Sequence, residues 1–162
     1  MNITLIAAIG LNNELGKDND LIWSIPEDLK FFKEQTLNKH IVMGMNTYLS
    51  LPKKLNDRKY IVLTSKERQL GDDIVVCRSV SELLDYISTI DSEIMVIGGA
   101  SIYNQMIDYA NRILLTEIDA TKEADVYFPK FNQDDWNRDI LCEHVYNEIS
   151  YKHVKYTRKK GL

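Results

Sequence analysis

The sequence predicts a mixed α/β fold: a mostly parallel central sheet, helices on both of its faces, and an antiparallel hairpin at one edge. Short apolar runs rich in Ile and Val recur along the chain with helical patterns between them, as right-handed β-α-β crossovers require. Runs such as Ile94-Met-Val-Ile97 are apolar without alternation, which suits central strands covered on both faces. The last two runs, residues 138–145 and 151–157, flank a short loop with no helix between them, so they pair antiparallel.

Ile3–Ile9 is the first expected strand. A helix follows. Ser24-x-x-Glu27 reads as its capping box, and Pro26 fits the first turn, where a missing N–H costs little. Asp28 sits in that turn, four residues before Phe32 and so on the same face, with Leu29 beside them and Trp23 and Ile25 just ahead. An acid on an apolar, aromatic-rich face is unfavourable without a partner, and no basic residue of this segment shares the face. Two readings stand: a ligand pairs with Asp28, or Asp28 is an ordinary N-terminal helix acid favoured by the macrodipole. Further strands are expected at His40–Gly44, 59–64, Ile74–Cys77, 93–97 and Arg112–Ile118. Helices are expected over 81–90, capped by Ser79 or Ser81, and over 101–109.

No repeat, low-complexity tract or Pro/Gly/Ser linker divides the chain, so its 162 residues are expected to form one domain. A hydrophobic content of 44% and a charged content of 27% are those of a soluble globular protein. The net charge of −4 gives no general reason to expect nucleic acid or an anionic membrane as a partner. The basic stretch 152–160 reads as a solvated final strand and chain end. No positive n-region precedes the first apolar run, and no apolar stretch approaches the roughly 20 residues of a membrane span. Cys77 and Cys142 fall in neither a C-x-x-C nor a metal-ligand spacing, and His40, His144 and His153 are scattered. A cytoplasmic protein without disulfide or metal is the expectation.

Candidate chemistry gathers at four places. Ile97-Gly98-Gly99-Ala100-Ser101-Ile102-Tyr103 puts two glycines between a buried strand and a helix start, where backbone can approach a ligand and free N–H groups attract an anion. Met43-Gly44-Met45-Asn46-Thr47-Tyr48 repeats the arrangement with two cap-type residues. Neither is the G-x-G-x-x-G fingerprint or a P-loop, and either alone could be a tight turn. Together they suit a ligand with two linked phosphates, such as a dinucleotide. Arg58, just before a strand, could grip a carboxylate with both arms of its guanidinium or simply pair with Asp57 or a Glu at the surface. Thr116, inside a strand, is a good strand former and a possible site hydroxyl.

These pieces, taken with their order and spacing, resemble the dihydrofolate reductase family of the bacterial type along essentially the whole chain. The resemblance rests on Ile6-Ala7-Ala8, Gly16-Lys17-Asp18-Asn19 with Trp23, and Pro26-x-Asp28-Leu29-x-x-Phe32. It continues through Thr36-Leu37-Asn38-Lys39, Met43-Gly44-x-x-Thr47, Arg58-Lys59-x-Ile61-Val62-Leu63-Thr64-Ser65, Ile97-Gly98-Gly99-x-x-Ile102-Tyr103 and Thr116-x-Ile118-Asp119 with Asp125 and Phe128-Pro129. It implies hydride transfer from NADPH to C6 of 7,8-dihydrofolate, giving tetrahydrofolate, in a monomer open to antifolate inhibitors.

The resemblance also implies residue roles. Asp28 holds the amino-pyrimidine edge of the pterin and promotes protonation of N5 through a water, with Thr116 in the same network and Trp23 beside it. Ile6, Ala7, Leu29, Phe32, Leu51, Leu55 and Ile97 wall the substrate. Arg58 clamps its glutamate α-carboxylate, helped by Lys33 or Lys53. The cofactor cleft is lined by Ala8, Leu15, Gly16, Asn19 and Leu21, by Gly44, Asn46 and Thr47, by Thr64, Ser65 and Arg78, and by Gly98, Gly99, Ala100, Ser101, Ile102 and Tyr103. In the family the Gly-Gly bond is cis.

Three departures stand out. Ile22 replaces the usual Pro before the loop tryptophan, which leaves that loop less constrained. The final hairpin loop, 147–150, is short, so the usual latch against the nicotinamide loop is expected to be missing. Met45 and Ser101 stand where basic residues usually meet the adenosine 2′-phosphate, which weakens the preference for NADPH over NADH. Two other readings compete. The reductase of riboflavin synthesis shares this fold, but its substrate lacks the glutamate tail and does not need Asp28 with Arg58. A folate- or nucleotide-binding protein without turnover has no need of Asp28, Thr116, Gly98 and Gly99 together.

Overall fold

A computed structural model describes the chain except residues 19, 52–54, 67–68 and 161–162. The elements run β1 (Ile3–Ile9), β2 (Glu14–Lys17), β3 (Asp20–Leu21), α1 (Pro26–Thr36), β4 (His40–Gly44), α2 (Met45–Ser50), β5 (Lys59–Leu63) and β6 (Ile74–Cys77). They continue as α3 (Val80–Ile87), β7 (Ile94–Gly98), α4 (Ala100–Met106), β8 (Arg112–Ile118), β9 (Val126–Tyr127), β10 (Trp136–Tyr146) and β11 (Ile149–Arg158). The main sheet has the order β10-β11-β8-β1-β7-β4-β5-β6. From β8 to β6 its strands are parallel, and β11 runs antiparallel to both β8 and β10. The expected class and edge hairpin are both present.

Strand alternation builds two cores, one on each face of the sheet. Ile3, Leu5, Val42, Ile61, Ile94 and Val96 point into one, which α3 and α4 close with Leu83, Ile87, Ile102 and Met106. Ile6, Ile41, Met43, Tyr60, Val62 and Met95 point into the other, fringed by Phe31 and Phe32 of α1 and Met45 and Tyr48 of α2. A slip of one residue in any strand would exchange the two sets, so register is tightly specified. Helix α1, which carries Asp28, lies over the second face.

Several local expectations are corrected. The capping box of Ser24 and Glu27 does not form: the helix N-cap is Ile25, extended and without a side-chain cap. Its carbonyl takes the Asp28 and Leu29 N–H groups at 3.0 and 3.1 Å, which puts Ser24 one residue too early to serve. Ser79 does cap α3, its hydroxyl accepting from the Glu82 N–H at 3.1 Å, but the helix stops at Ile87 rather than 90. The helix expected over 101–109 divides into α4 and a 3₁₀ turn at Ile107–Tyr109. A small second sheet, β3-β2-β9, went unforeseen because strands of two to four residues are too short to show a period. The final hairpin closes with Tyr146 paired to Ile149. Its two turn residues, Asn147 and Glu148, take the left-handed conformation (φ 48° and 66°) that matches the twist of the strands.

Candidate active site

Register sets one row of side chains across four strands: Cys142 is opposite His153, His153 opposite Thr116, and Thr116 opposite Ala8. Helix α1 lies over this row. Its Phe31 ring stacks on His153 with centroids 3.8 Å apart and planes 11° from parallel. Asp28, one turn closer to the helix start, reaches down so that its Oδ1 accepts the Thr116 hydroxyl and faces His153 Nε2 at 3.2 Å. A carboxylate only accepts, so His153 presents Nε2–H to it, and its Nδ1 lies 3.2 Å from Cys142 Sγ. Thr116 and His153 are buried, whereas the Asp28 side chain keeps 20% of its exposure. Among the described residues both contacts fall on Oδ1, which leaves Oδ2 for a ligand.

The partners of Asp28 within the chain therefore come from strands 88 and 125 residues away. The sequence pointed to Thr116 in this network, but its histidines looked scattered. Tyr151-x-His153 shows that the two share a strand face, but only the β8–β11 register says what they meet.

Beyond Asp28, α1 borders a groove of about 430 Å³ lined by Pro26, Leu29, Lys30, Lys33, Glu34, Leu37 and Arg58. The Arg58 guanidinium is braced by the chain itself: Nε donates to Thr36 Oγ1 (3.2 Å), one arm to Asn56 O (2.6 Å) and the other to Lys33 O (2.5 Å). This replaces the expected pairing with Asp57 or a Glu. A guanidinium carries five N–H donors, so one on each arm remains for a ligand. Phe32, Leu51, Leu55 and Ile97 pack together at the rim of the second core, beside buried Ile6. Ala7 instead faces the first core. Lys53 lies outside the described residues.

The two glycine junctions meet. Gly44 caps α2 and Gly99 caps α4, both extended and without a side-chain cap, so among the described residues no side chain caps the first N–H groups of either helix. A Cβ on Gly99 would stand 3.6 Å from Thr47 Oγ1, and one on Gly44 only 3.0 Å from Ile102 Cγ1. The Gly98–Gly99 peptide is cis, and Gly98 has φ +126°, a conformation that suits only glycine. Tyr103 donates from its buried hydroxyl to Ile6 O at 2.6 Å, tying α4 to β1; burial holds its phenol protonated well above the ordinary range. Pairing of Leu63 with Cys77 brings Thr64 and Arg78 side by side at the ends of β5 and β6, with Ser65 exposed next to them. Ala100 opens α4, and Asn46 is the second residue of α2. Ser101 takes the Gln105 amide at 3.1 Å on its hydroxyl oxygen, and Met45 packs on the second core.

The loop after β1 is anchored through Trp23, whose indole N–H donates to Glu14 O at 2.9 Å. A Cβ on Gly10 would stand 2.5 Å from the Trp23 ring and 2.8 Å from Ala120 O, so only glycine fits beneath it. Glu14 is buried, yet its carboxyl is held below the ordinary 4.5: burial raises it, and backbone N–H groups, including those of Asn12 (2.6 Å) and Lys122 (3.0 Å), outweigh that. Ile22 is tied down by its own N–H to Leu15 O (3.4 Å), which proline could not supply, and by Lys122 Nζ on its carbonyl (3.0 Å). Leu15 is buried in the first core, Leu21 is largely exposed, and Gly16 lets β2 pass close to Asp20 O. Asn19 lies outside the described residues.

The fold is an α/β one, and Gly44, Gly98 and Thr116 stand at or near the C-terminal ends of its parallel strands. Residues 2–158 match the dihydrofolate reductase family. The chain is 47% identical over 133 residues to dihydrofolate reductase of Buchnera aphidicola subsp. Acyrthosiphon pisum, covering 81% of each chain. It is 39% identical over 162 residues to that of Bacillus subtilis, covering 98% of this chain and 96% of the relative. The solved dihydrofolate reductase from Enterococcus faecalis, complexed with NADP(H) and RAB-propyl, superposes with a TM-score of 0.86 at 30% identity, covering 98% and 97%. The chain belongs to the dihydrofolate reductase family, whose reaction is the NADPH-dependent reduction of dihydrofolate to tetrahydrofolate.

Proposed function

We propose that Asp28 is the residue through which this chain reduces 7,8-dihydrofolate to 5,6,7,8-tetrahydrofolate. The observation that carries the reading is the partly exposed Asp28 carboxylate, fixed on one oxygen by Thr116 and His153 and open on the other. The open oxygen takes the amino-pyrimidine edge of the pterin. Its negative charge, in a partly desolvated setting, stabilises the cation that develops as N5 is protonated by a water. Thr116 holds the carboxylate in place. Leu29, Phe32, Leu51, Leu55, Ile6 and Ile97 wall the rings, and Trp23 braces the loop above them.

The groove beside α1 takes the glutamate tail. The spare N–H groups of Arg58 grip its α-carboxylate, and Lys33 adds positive charge in the same groove. NADPH, when bound, supplies the hydride. The residues present fit a dinucleotide: two neighbouring helix starts, each with a glycine N-cap and no side-chain cap, receive the diphosphate, and Thr64, Ser65 and Arg78 receive the adenosine end. Met45 and Ser101 add no charge there.

Purified protein with dihydrofolate and NADPH tests this, followed by the loss of the cofactor's near-ultraviolet absorbance and by product mass. Oxidation that requires dihydrofolate and yields tetrahydrofolate is expected. Binding of both without oxidation would make the chain a binding protein.

A further inference from the structure

Cys142, His144 and His153 bring one ligand atom each to within 4.8 Å of one another, and nothing in the reduction of dihydrofolate calls for that. We propose that they form a zinc site on the β10–β11 hairpin, with Asp28 as the carboxylate behind it. Cys142 and His144 are two apart on β10 and so share a face; His153 is paired directly opposite Cys142 on β11. Three donors thus stand on two hydrogen-bonded strands of fixed register.

The spacing suits the ion. Tetrahedral zinc with Zn–S of about 2.3 Å and Zn–N of about 2.0 Å sets sulfur and nitrogen about 3.5 Å apart. Cys142 Sγ and His153 Nδ1 are already at 3.2 Å, so a few tenths of an ångström admit the ion. His144 is exposed, its ring centroid 5.7 Å from that of His153, and can rotate to close the third side. The outermost position of β10 leaves the fourth side to solvent and gives the ion its entry path.

With Nε2 facing Asp28 Oδ1 at 3.2 Å, the neutral ring of His153 has its Nδ1 lone pair on the cysteine side. A metal-bound histidine backed by a carboxylate is the usual arrangement in zinc proteins. One thiolate and one carboxylate balance the two positive charges, the thiol proton leaving to solvent on coordination. A sulfur with two imidazoles selects zinc over magnesium or calcium, which prefer oxygen. Zinc held there sets positive charge behind Asp28 and opposes the cation developing at N5, so occupancy lowers turnover. That consequence rests on the role proposed for Asp28; the binding does not.

The test is a Co²⁺ titration of the chelator-treated full chain, with Zn²⁺ as competitor, beside turnover with and without Zn²⁺. A thiolate-to-cobalt charge-transfer band that Zn²⁺ displaces is expected. Cys142→Ser should abolish it, and His144→Ala should weaken binding at least about tenfold. His144→Ala should keep the metal-free turnover, and both variants should lose inhibition by Zn²⁺. The second thiol, Cys77, cannot mimic this signal, being buried and pushed up to about 11, chiefly by that burial. No band, or a band that survives Cys142→Ser, overturns the site. A band with turnover indifferent to Zn²⁺ overturns the link to Asp28. The cobalt band reports on the site whether or not the chain reduces dihydrofolate.

Discussion

Arg58→Leu removes a ligand clamp and a structural brace together, and the geometry lets the two be separated. The brace is three hydrogen bonds, to Thr36 Oγ1, Asn56 O and Lys33 O, at 3.2, 2.6 and 2.5 Å. At about 0.5–1.5 kcal/mol net each, less what leucine regains against Leu29 and Leu37 in the groove, the loss is about 1–3 kcal/mol. That lowers Tm by about 2–12 °C for a domain of this size. The clamp is worth more: truncating one side of a desolvated charge pair costs about 2–5 kcal/mol, or about 30- to 5,000-fold in affinity. Dissociation constants should be measured well below Tm for dihydrofolate, for a pterin lacking the glutamate tail, and for NADPH. Only the first should weaken by that factor. Arg58→Lys keeps a charge but cannot span three acceptors, so it should recover part of the affinity and little of the stability. Equal weakening for all three ligands would show that Arg58 is only a brace, and refute the clamp.

Met45→Arg should raise the ratio of kcat/KM for NADPH over NADH by about ten- to a hundredfold, the worth of one charge-assisted hydrogen bond; an unchanged ratio would mean that the 2′-phosphate lies elsewhere. Gly10→Ala should destabilise by about 1–3 kcal/mol in urea unfolding, because the added carbon would stand 2.5 Å from the Trp23 ring and 2.8 Å from a backbone oxygen. Glu93 is bonded by Lys39 Nζ (2.6 Å) and Thr4 Oγ1 (2.5 Å) and faces Arg112 (3.4 Å). Burial raises its carboxyl, but these partners pull it below its ordinary 4.5. A lowered value in the folded state means stability that is present above 4.5 and lost as acid titrates the group. Glu93→Gln should therefore be less stable than the parent at pH 7, with the gap closing as the pH falls below 4.5 and acid titrates the group. A gap that widens in acid would contradict the sign.

The strands of the main sheet, its mostly parallel character and the final hairpin were legible in the sequence because each of these strands carries its own apolar run. Asp28 was legible as an acid on an aromatic face, and the helix-start glycines as places where backbone meets a ligand. What escaped depends on register and on partners far along the chain. Cys142, His144 and His153 look scattered because β10 and β11 bring together residues that no local spacing relates, and β8 then sets His153 beside Thr116. Arg58 appeared as a surface residue because its acceptors are carbonyls and one buried hydroxyl, groups that residue types do not announce. The capping box failed by one residue, since the Ile25 carbonyl takes the Asp28 and Leu29 N–H groups.

The central claim, that Asp28 promotes protonation of the substrate, is tested most directly by turnover of Asp28→Asn. The amide preserves the shape and a hydrogen-bond acceptor for Thr116 but cannot hold negative charge beside N5. With dihydrofolate and NADPH both saturating at pH 7, kcat should fall by about 10²–10⁴-fold while NADPH affinity stays near that of the parent. Turnover equal to the parent's under those conditions would contradict the account.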